Sequence, residues 1–299
     1  MQTNLLYTGA TGYLGYNTLS FLEKDFKVST LGLSDADFVS DLSKEISNLS
    51  STAFEVVLHA AGEVHAIAAT RKEKQHFFDV NLQGTKNLCL ALEQSGMPKS
   101  FIHISTVAVY GAVKGEEITE EHPLNGTSPY ARSKLLAEEF LMDWCKKNNI
   151  TLSILRPALI AGHNPLGTLG CMINGIKSGF YFNISGNKAK KSIVMAQDIA
   201  TLIPKLANKG GIYNLSDGYH PSFEELSQLI ANQLNKKTPV AIPYYKAKTI
   251  ALCGDLLGRY APLNTGKLSK IVNTLTFSNK KAVEELKWTP LNVLEHFKI

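Results

Sequence analysis

Thr8-Gly9-Ala10-Thr11-Gly12-Tyr13-Leu14-Gly15 is the stretch on which the fold turns. It follows the short apolar run Asn4–Thr8 and opens a helix-period run over Tyr13–Lys24. The glycines are spaced Gly-x-x-Gly-x-x-Gly, one residue wider than the common dinucleotide fingerprint. Gly9 permits the tight turn, Gly12 lets the backbone approach a pyrophosphate, and Gly15 allows close packing of helix on strand. The helix N-terminus then offers N–H groups and a positive dipole end to phosphate. Glycines occupy turns for their backbone freedom alone; a triplet set between a strand and a helix points to a dinucleotide site.

Outward from this turn, short apolar runs alternate with helix-period segments, the pattern of a parallel sheet covered by helices. Strands are predicted at Asn4–Thr8, Lys27–Leu31, Glu55–Ala60, Ser100–Ser105 and Thr151–Arg156, and helices at Tyr13–Lys24, Phe77–Ser95 and Pro129–Asn148. The cores Val56-Val57-Leu58 and Phe101-Ile102-His103-Ile104 are continuously apolar, as strands covered on both faces are. Beyond Arg156-Pro157 the rhythm loosens into a glycine-bearing, loop-rich stretch from Gly162 to Lys191. A helix over Asp198–Leu206, a strand over Gly211–Leu215 and helices at Phe223–Asn235 and Asn279–Leu286 follow, with Ser222 and Glu225 forming a capping box. The expected class is α/β: a doubly wound parallel-sheet Rossmann domain over residues 1–160, with a returning segment near 193–216. A smaller α/β substrate lobe would take residues 161–192 and 217–299.

Composition agrees with a globular enzyme-sized chain: 299 residues, 44% hydrophobic and 19% charged. Net charge is +5, but residues 1–150 carry 13 basic and 18 acidic side chains while residues 151–299 carry 18 and 8. No apolar run approaches the ~20 residues of a membrane span, so no membrane partner is expected. The N-terminal residues lack the pattern of a secretory leader. Cys89, Cys145, Cys171 and Cys253 have no metal spacing and read as four buried thiols in a reducing, cytoplasmic compartment. No metal is expected. A basic C-terminal half fits ordinary solubility or an anionic ligand; no Lys/Arg run interleaved with aromatics supports nucleic acid.

The end of the second strand, Thr30-Leu31-Gly32-Leu33-Ser34, has neither the Asp that holds a ribose diol nor an Arg for a 2′-phosphate, so NAD and NADP both stay open. Asp41-Leu42 fits either an adenine contact or a helix cap before Ser43–Leu49.

Tyr130 and Lys134 stand at i and i+4 at the start of a helix, on one face. A phenol with an ordinary pKa near ~10 is a poor base at neutral pH. A neighbouring ammonium lowers that pKa and makes the pair an acid/base unit. Ser105-Thr106, just past the fourth strand, adds a hydroxyl that can donate to a substrate oxygen as charge develops.

These segments, with His59-Ala60-Ala61-Gly62, Asn81 in Val80-Asn81-Leu82-Gln83-Gly84-Thr85, Pro129-Tyr130-Ala131-Arg132-Ser133-Lys134 and Leu155-Arg156-Pro157, resemble the extended short-chain dehydrogenase/reductase superfamily. More narrowly, the chain is similar to the NAD-dependent epimerase/dehydratase family acting on nucleotide-diphosphate sugars. The likeness runs through Lys190–Ala200, Gly211–Leu215 and Lys280–Pro290, nearly the whole chain. It implies Thr106 as the substrate hydroxyl contact in preference to Ser105, Tyr130 as acid/base and Lys134 as its partner, also reaching a nicotinamide ribose. It assigns the cofactor to Gly9, Thr11, Gly12, Tyr13, Leu14, Gly15, Asp41, Leu42, Ala60, Ala61, Gly62, Asn81, Ser105, Tyr130, Lys134 and Pro157. Substrate contacts fall on His65, Thr106, Tyr130, Asn164 and Lys191; a packed histidine is the plainer reading of His65. At Lys191 the family often has an Arg gripping the sugar-nucleotide phosphates, and Lys holds a phosphate as a point charge without bidentate geometry.

Dehydratases of this family carry Asp-Glu immediately after the Thr; here the residues are Val107-Ala108, which argues against 4,6-dehydration. What remains is oxidation or reduction at sugar C4, as an epimerase or a 4-keto-sugar reductase of surface-polysaccharide synthesis. The stretch Gly254-Asp255-Leu256-Leu257-Gly258-Arg259 leans toward the reductases. Two other readings stand beside it: a relative working on a non-nucleotide alcohol or ketone, and a dinucleotide-binding sensor without catalysis. The family also implies a homodimer through helices such as Pro129–Asn148, whose apolar positions fit an intrachain core equally well. On this reading the basic second half attracts a small anionic nucleotide sugar.

Overall fold

The computed structural model describes residues 2–44, 46, 49, 53–64, 70–257 and 261–299. His65, Gly258 and Arg259 lie outside these, as does part of the Ser43–Leu49 segment.

In chain order the strands are β1 (Thr3–Thr8), β2 (Phe26–Gly32), β3 (Phe38–Val39), β4 (Val56–His59), β5 (Ser100–Ile104), β6 (Gly115–Ile118), β7 (Thr151–Pro157), β8 (Leu159–Ala161), β9 (Asn183–Ile184), β10 (Ile193–Met195), β11 (Gly211–Leu215), β12 (Ala241–Ile242) and β13 (Leu275–Phe277). The helices are α1 (Tyr13–Leu22), α2 (Arg71–Phe78), α3 (Gly84–Ser95), α4 (Pro129–Lys147), α5 (Gly167–Lys177), α6 (Ala196–Leu206), α7 (Phe223–Gln233), α8 (Tyr244–Leu257), α9 (Thr265–Val272), α10 (Lys280–Leu286) and α11 (Val293–His296).

Seven strands form one parallel sheet in the order β11-β7-β5-β4-β1-β2-β3. The order reverses at β1, so the glycine turn leaves the sheet where α/β folds bind ligands. Both faces are covered. One buries Leu5, Tyr7, Leu58, Ile102 and Leu155 under α1 and α6, and the other buries Leu6, Val57, Phe101 and Leu88 with Trp144 of α4. The α/β doubly wound class is therefore observed. β11 sits at the sheet edge beside β7, with Gly211 opposite Ser153.

Several expectations need correction. The helix read at Phe77–Ser95 begins at Arg71, where Thr70 and Glu73 form a capping box, and passes through a π-helical turn at Asp79–Gln83. The segment read as loop-rich holds α5, because its buried face of Leu169, Met172, Ile173 and Ile176 outweighs Gly170 and Gly175 within it. Cys171 and Cys253 are exposed; only Cys89 and Cys145 are buried. Cys171 and Cys253 lie on outward faces of α5 and α8, which the spacing of cysteines does not reveal. No helix among the described residues is long and apolar enough to cross a membrane.

Candidate active site

Because β1, β4, β5 and β7 run parallel, their C-terminal ends deliver Gly9, Ala60–Gly62, Ser105–Thr106 and Pro157 to one edge of the sheet. Gly9 has φ +78°, and a Cβ there would lie 2.6 Å from Ala61 N, so the turn presses directly on the loop after β4. Thr11 and Gly12 are exposed, Tyr13 and Leu14 half-buried, and Gly15 buried. Gly12 precedes α1 without offering a side-chain cap, which leaves the first N–H groups of the helix to an outside acceptor. Tyr13 reaches across to the Ile160 carbonyl (3.5 Å), and burial pushes its phenol up to about 12. Asn17 exchanges two hydrogen bonds with His163, which fastens the loop carrying Asn164 over α1. Asn164 itself is exposed and left-handed, at φ +53°.

Lys134 is buried and donates to the Ile104 carbonyl at 2.9 Å. Its ammonium faces the bare Cα of Gly62: a Cβ there would stand 3.1 Å from Lys134 Nζ and 2.8 Å from Asn81 Oδ1. Burial lowers Lys134 to about 8, against the attraction of Glu138. Tyr130 shifts the opposite way from the sequence expectation. Burial raises its phenol, and the neighbouring Thr106 hydroxyl pulls the other way. Thr106 Oγ1 also accepts from Ala108 N at 3.1 Å. Thr106 and Tyr130 are thus brought together, with Val107 and Ala108 in a short 3₁₀ turn alongside.

Ser105 plays another part. Its hydroxyl donates to the buried Glu138 carboxylate, which also receives Arg156 Nε (3.1 Å) and Nη2 (2.5 Å). Arg156 Nη1 donates to the Tyr110 hydroxyl at 3.0 Å, and that hydroxyl to Asn214 Oδ1 at 2.7 Å. One network therefore runs from the loop after β5 through α4 and β7 to β11.

A second network holds Asn81. In the π turn, where such irregularities often mark functional positions, Asn81 Oδ1 accepts from Glu63 N (2.8 Å) and Nδ2 donates to Ser133 Oγ (2.9 Å). Ser133 in turn donates to the Tyr130 carbonyl at 2.9 Å. Thr85 Oγ1 donates to the Asn81 carbonyl at 2.6 Å, so its contact with His59 Nε2 (2.9 Å) needs a proton from the imidazole. Burial drives His59 down to about 3, and a neutral ring protonated on Nε2 accepts at Nδ1 from Thr8 Oγ1 at 2.7 Å. Thr8 Oγ1 accepts from Ala61 N at 3.3 Å. A single hydrogen-bond direction thus runs from the loop after β4 to the Asn81 carbonyl in the π turn, whose side-chain amide separately reaches the helix bearing Tyr130.

The other predicted positions differ. Asp41 accepts from Ser43 N (3.0 Å) and Ser43 Oγ (2.7 Å), the geometry of a local turn, and Leu42 is packed in the core. Lys191 is half-buried, donates to the Asn273 carbonyl and lies 5.8 Å from the Phe223 ring centroid; burial lowers it to about 8. Sequence reasoning missed Glu138, His59 and Thr85 as site builders. The available signal was a carboxylate at i+4 from Lys134 on the buried face of α4, and a histidine inside a core strand.

The profile of the NAD dependent epimerase/dehydratase family matches residues 5–216. The N-acetyl-alpha-D-glucosaminyl-diphospho-ditrans,octacis-undecaprenol 4-epimerase of Escherichia coli O157:H7 is 28% identical, over 94% of this chain and 89% of that protein. A UDP-glucose 4-epimerase of Vibrio cholerae is 28% identical, over 99% of this chain and 93% of that one. Among solved structures, the UDP-glucose 4-epimerase of Thermotoga maritima with UDP-glucose superposes with a TM-score of 0.76 at 20% identity, covering 98% of this chain and 96% of that chain, a likeness of fold. With the glycine turn, the Thr106–Tyr130 contact and the Lys134 seat all inside the matched span, the chain belongs to the NAD-dependent epimerase/dehydratase family.

Proposed function

We propose that this enzyme is a nicotinamide-dependent 4-epimerase of a hexose carried on a diphosphate, the chemistry common to both related 4-epimerases. The observation that carries the reading is the meeting of Thr106, Tyr130 and a buried Lys134 at the ends of β1, β4 and β5, with the Lys134 ammonium held on the Ile104 carbonyl. The residues fit a dinucleotide. The uncapped start of α1 suits a pyrophosphate, and Gly62, without a Cβ, lets Asn81 and Lys134 close directly on the loop after β4 at the same sheet edge. When bound, NAD supplies an acceptor for the C4 hydrogen and returns it to the 4-keto sugar.

Tyr130 Oη takes the proton of the C4 hydroxyl on oxidation and gives it back on reduction. Thr106 Oγ1 donates to the same oxygen and steadies its developing charge. Lys134 is the candidate partner of a nicotinamide ribose and the cation that favours the phenolate. That pull would oppose the upward push of burial on Tyr130. Lys191 is the candidate grip on the diphosphate.

The test is to incubate the protein with UDP-glucose and UDP-N-acetylglucosamine and follow the 4-epimers by chromatography. Tyr130→Phe should abolish epimer formation while leaving NAD binding within about twofold. Full activity in that variant would remove the assignment.

A further inference from the structure

α8 is apolar on both sides. Toward the lobe it buries Ala247, Ala251 and Gly254, so closely that a Cβ on Gly254 would fall 1.9 Å from the Leu263 carbonyl. Its outward side carries Tyr245, Leu252 and Leu256, at i, i+7 and i+11, with Leu256 89% exposed. An exposed apolar face on a helix whose opposite face is already packed marks a contact surface. The segments leading into β9 and β12, which pack beside the buried side of α8, carry two further exposed apolar side chains. Val240 (73% exposed) is paired to Asn183 just ahead of α8, and Phe180 (86% exposed) lies three residues before Asn183.

The charge around this face has one sign. Lys236, Lys237, Lys246 and Lys248 are exposed and have no carboxylate partner among the described residues. The one acidic residue between 236 and 270 is Asp255, whose carboxylate is turned to the Thr265 amide (3.1 Å) and hydroxyl (3.2 Å) at the start of α9. An apolar face flanked by unpaired lysines complements an anionic lipid surface, with side chains entering the headgroup boundary and ammonium groups meeting lipid phosphates. A second copy of this chain would bring the same lysines against themselves.

α8 packs on α9, and the Asn273 carbonyl just past α9 receives the Lys191 ammonium. The apolar face and the candidate diphosphate grip therefore belong to one lobe, separated by one helix.

We infer that α8 seats the enzyme on an anionic membrane surface and that the diphosphate of its substrate is carried by a membrane lipid. The inference rests on the proposed function for the sugar diphosphate; the docking face stands on α8 alone. Peripheral attachment of this kind needs no spanning segment.

The experiment uses the full chain and vesicles of phosphatidylcholine with or without phosphatidylglycerol. Wild type should sediment with the phosphatidylglycerol vesicles. Leu252→Glu/Leu256→Glu should lower the partition by about tenfold, and Lys246→Glu/Lys248→Glu by about fivefold per lysine. Wild type remaining in the supernatant, or the leucine variant binding equally, overturns the docking face. So does a wild-type dimer that the leucine variant splits without any vesicle binding, which would make a second copy the occupant. With a polyprenyl-diphosphate hexosamine embedded in the vesicles, wild type should form the 4-epimer and the leucine variant should be slowed, both turning over soluble UDP-hexose alike. Turnover of UDP-hexose without the lipid substrate overturns the carrier. Vesicle binding without turnover of either removes the proposed function and leaves the docking face intact.

Discussion

Ser105 donates its hydroxyl to the Glu138 carboxylate, and both side chains are buried. That bond separates two neighbouring hydroxyls that the sequence places side by side. Ser105 is tied into the scaffold, and Thr106 is left facing Tyr130. Thr106→Ala should lower kcat by about 10²-fold, the scale of a lost hydrogen bond to a developing oxyanion, with little change in Tm. Ser105→Ala should instead cost stability, about 1–3 kcal/mol from a buried acceptor losing a partner, with kcat nearly kept. Thermal melts beside steady-state kinetics separate the two, and a larger kcat loss in Ser105→Ala would exchange the roles.

Glu138 and Arg156 form an ion pair at 2.5 Å with side chains 0% and 2% exposed. Removing one partner leaves a buried, uncompensated charge. Arg156→Met or Glu138→Leu alone should destabilise by about 3–5 kcal/mol, while the double replacement should recover much of the loss because no charge is stranded. Urea titrations of the four proteins close this cycle. A double variant as unstable as the sum of the singles would mean that packing around Tyr110, and not charge, sets the cost.

The parts of this site that were legible in the sequence are local. Gly9, Tyr130 and Lys134 are defined by spacing within one turn or one helix, and Thr106 by its place after a strand. Glu138 was not legible, because its meaning depends on Arg156 arriving from β7, 18 residues further along and buried in a neighbouring strand. The π turn at Asp79–Gln83 follows from Asn81 bonding to Glu63 and Ser133, contacts that no periodicity carries. α8 escaped for the opposite reason: with apolar residues on both faces it lacks the polar alternation by which amphipathic helices are read.

His59 gives a prediction for acid. Its ordinary pKa is 6.5 and burial brings it to about 3 in the folded chain. Between those values the unfolded chain binds a proton that the folded one refuses, so stability is complete above pH 6.5 and falls as pH drops through the window. The slope is about 1.4 kcal/mol per pH unit for each such imidazole. The equally buried His103 is also held well below its ordinary value, by burial first and then by Lys134 and His59. His59→Gln should therefore have a shallower fall between pH 6 and pH 4, by about one proton's slope. Parallel pH profiles for the two proteins, from denaturant midpoints, would contradict a neutral His59.

The end of β2 gives a preference between cofactors. Asp37 accepts from Thr30 N at 2.8 Å and Thr30 Oγ1 at 2.9 Å, placing a carboxylate at that strand end. No Lys or Arg lies between Thr30 and Ser43, and Lys44 beyond them is paired with Asp41. A 2′-phosphate there would meet negative charge without a cation. Titration of intrinsic fluorescence should show NADP binding at least about tenfold weaker than NAD. Equal affinities would place the adenosine ribose elsewhere.

Lys134 and Lys191 are both lowered to about 8 by burial, yet they should act on different kinetic constants. Each is protonated below that pH and loses its charge above it, so kcat/KM, which reports the free enzyme, should decline on the alkaline side of about pH 8. Deprotonating Lys134 withdraws the cation beside Tyr130 and should appear in kcat; Lys134→Arg, charged throughout, should carry the decline to higher pH. Deprotonating Lys191 withdraws a charge-assisted hydrogen bond to the diphosphate and should appear in KM. Lys191→Ala should then raise KM by about tenfold, the scale of one such bond, keep kcat, and make KM flat across the interval where wild-type KM climbs. A wild-type KM flat over that interval, or a Lys191→Ala variant impaired in kcat alone, would move the diphosphate away from Lys191.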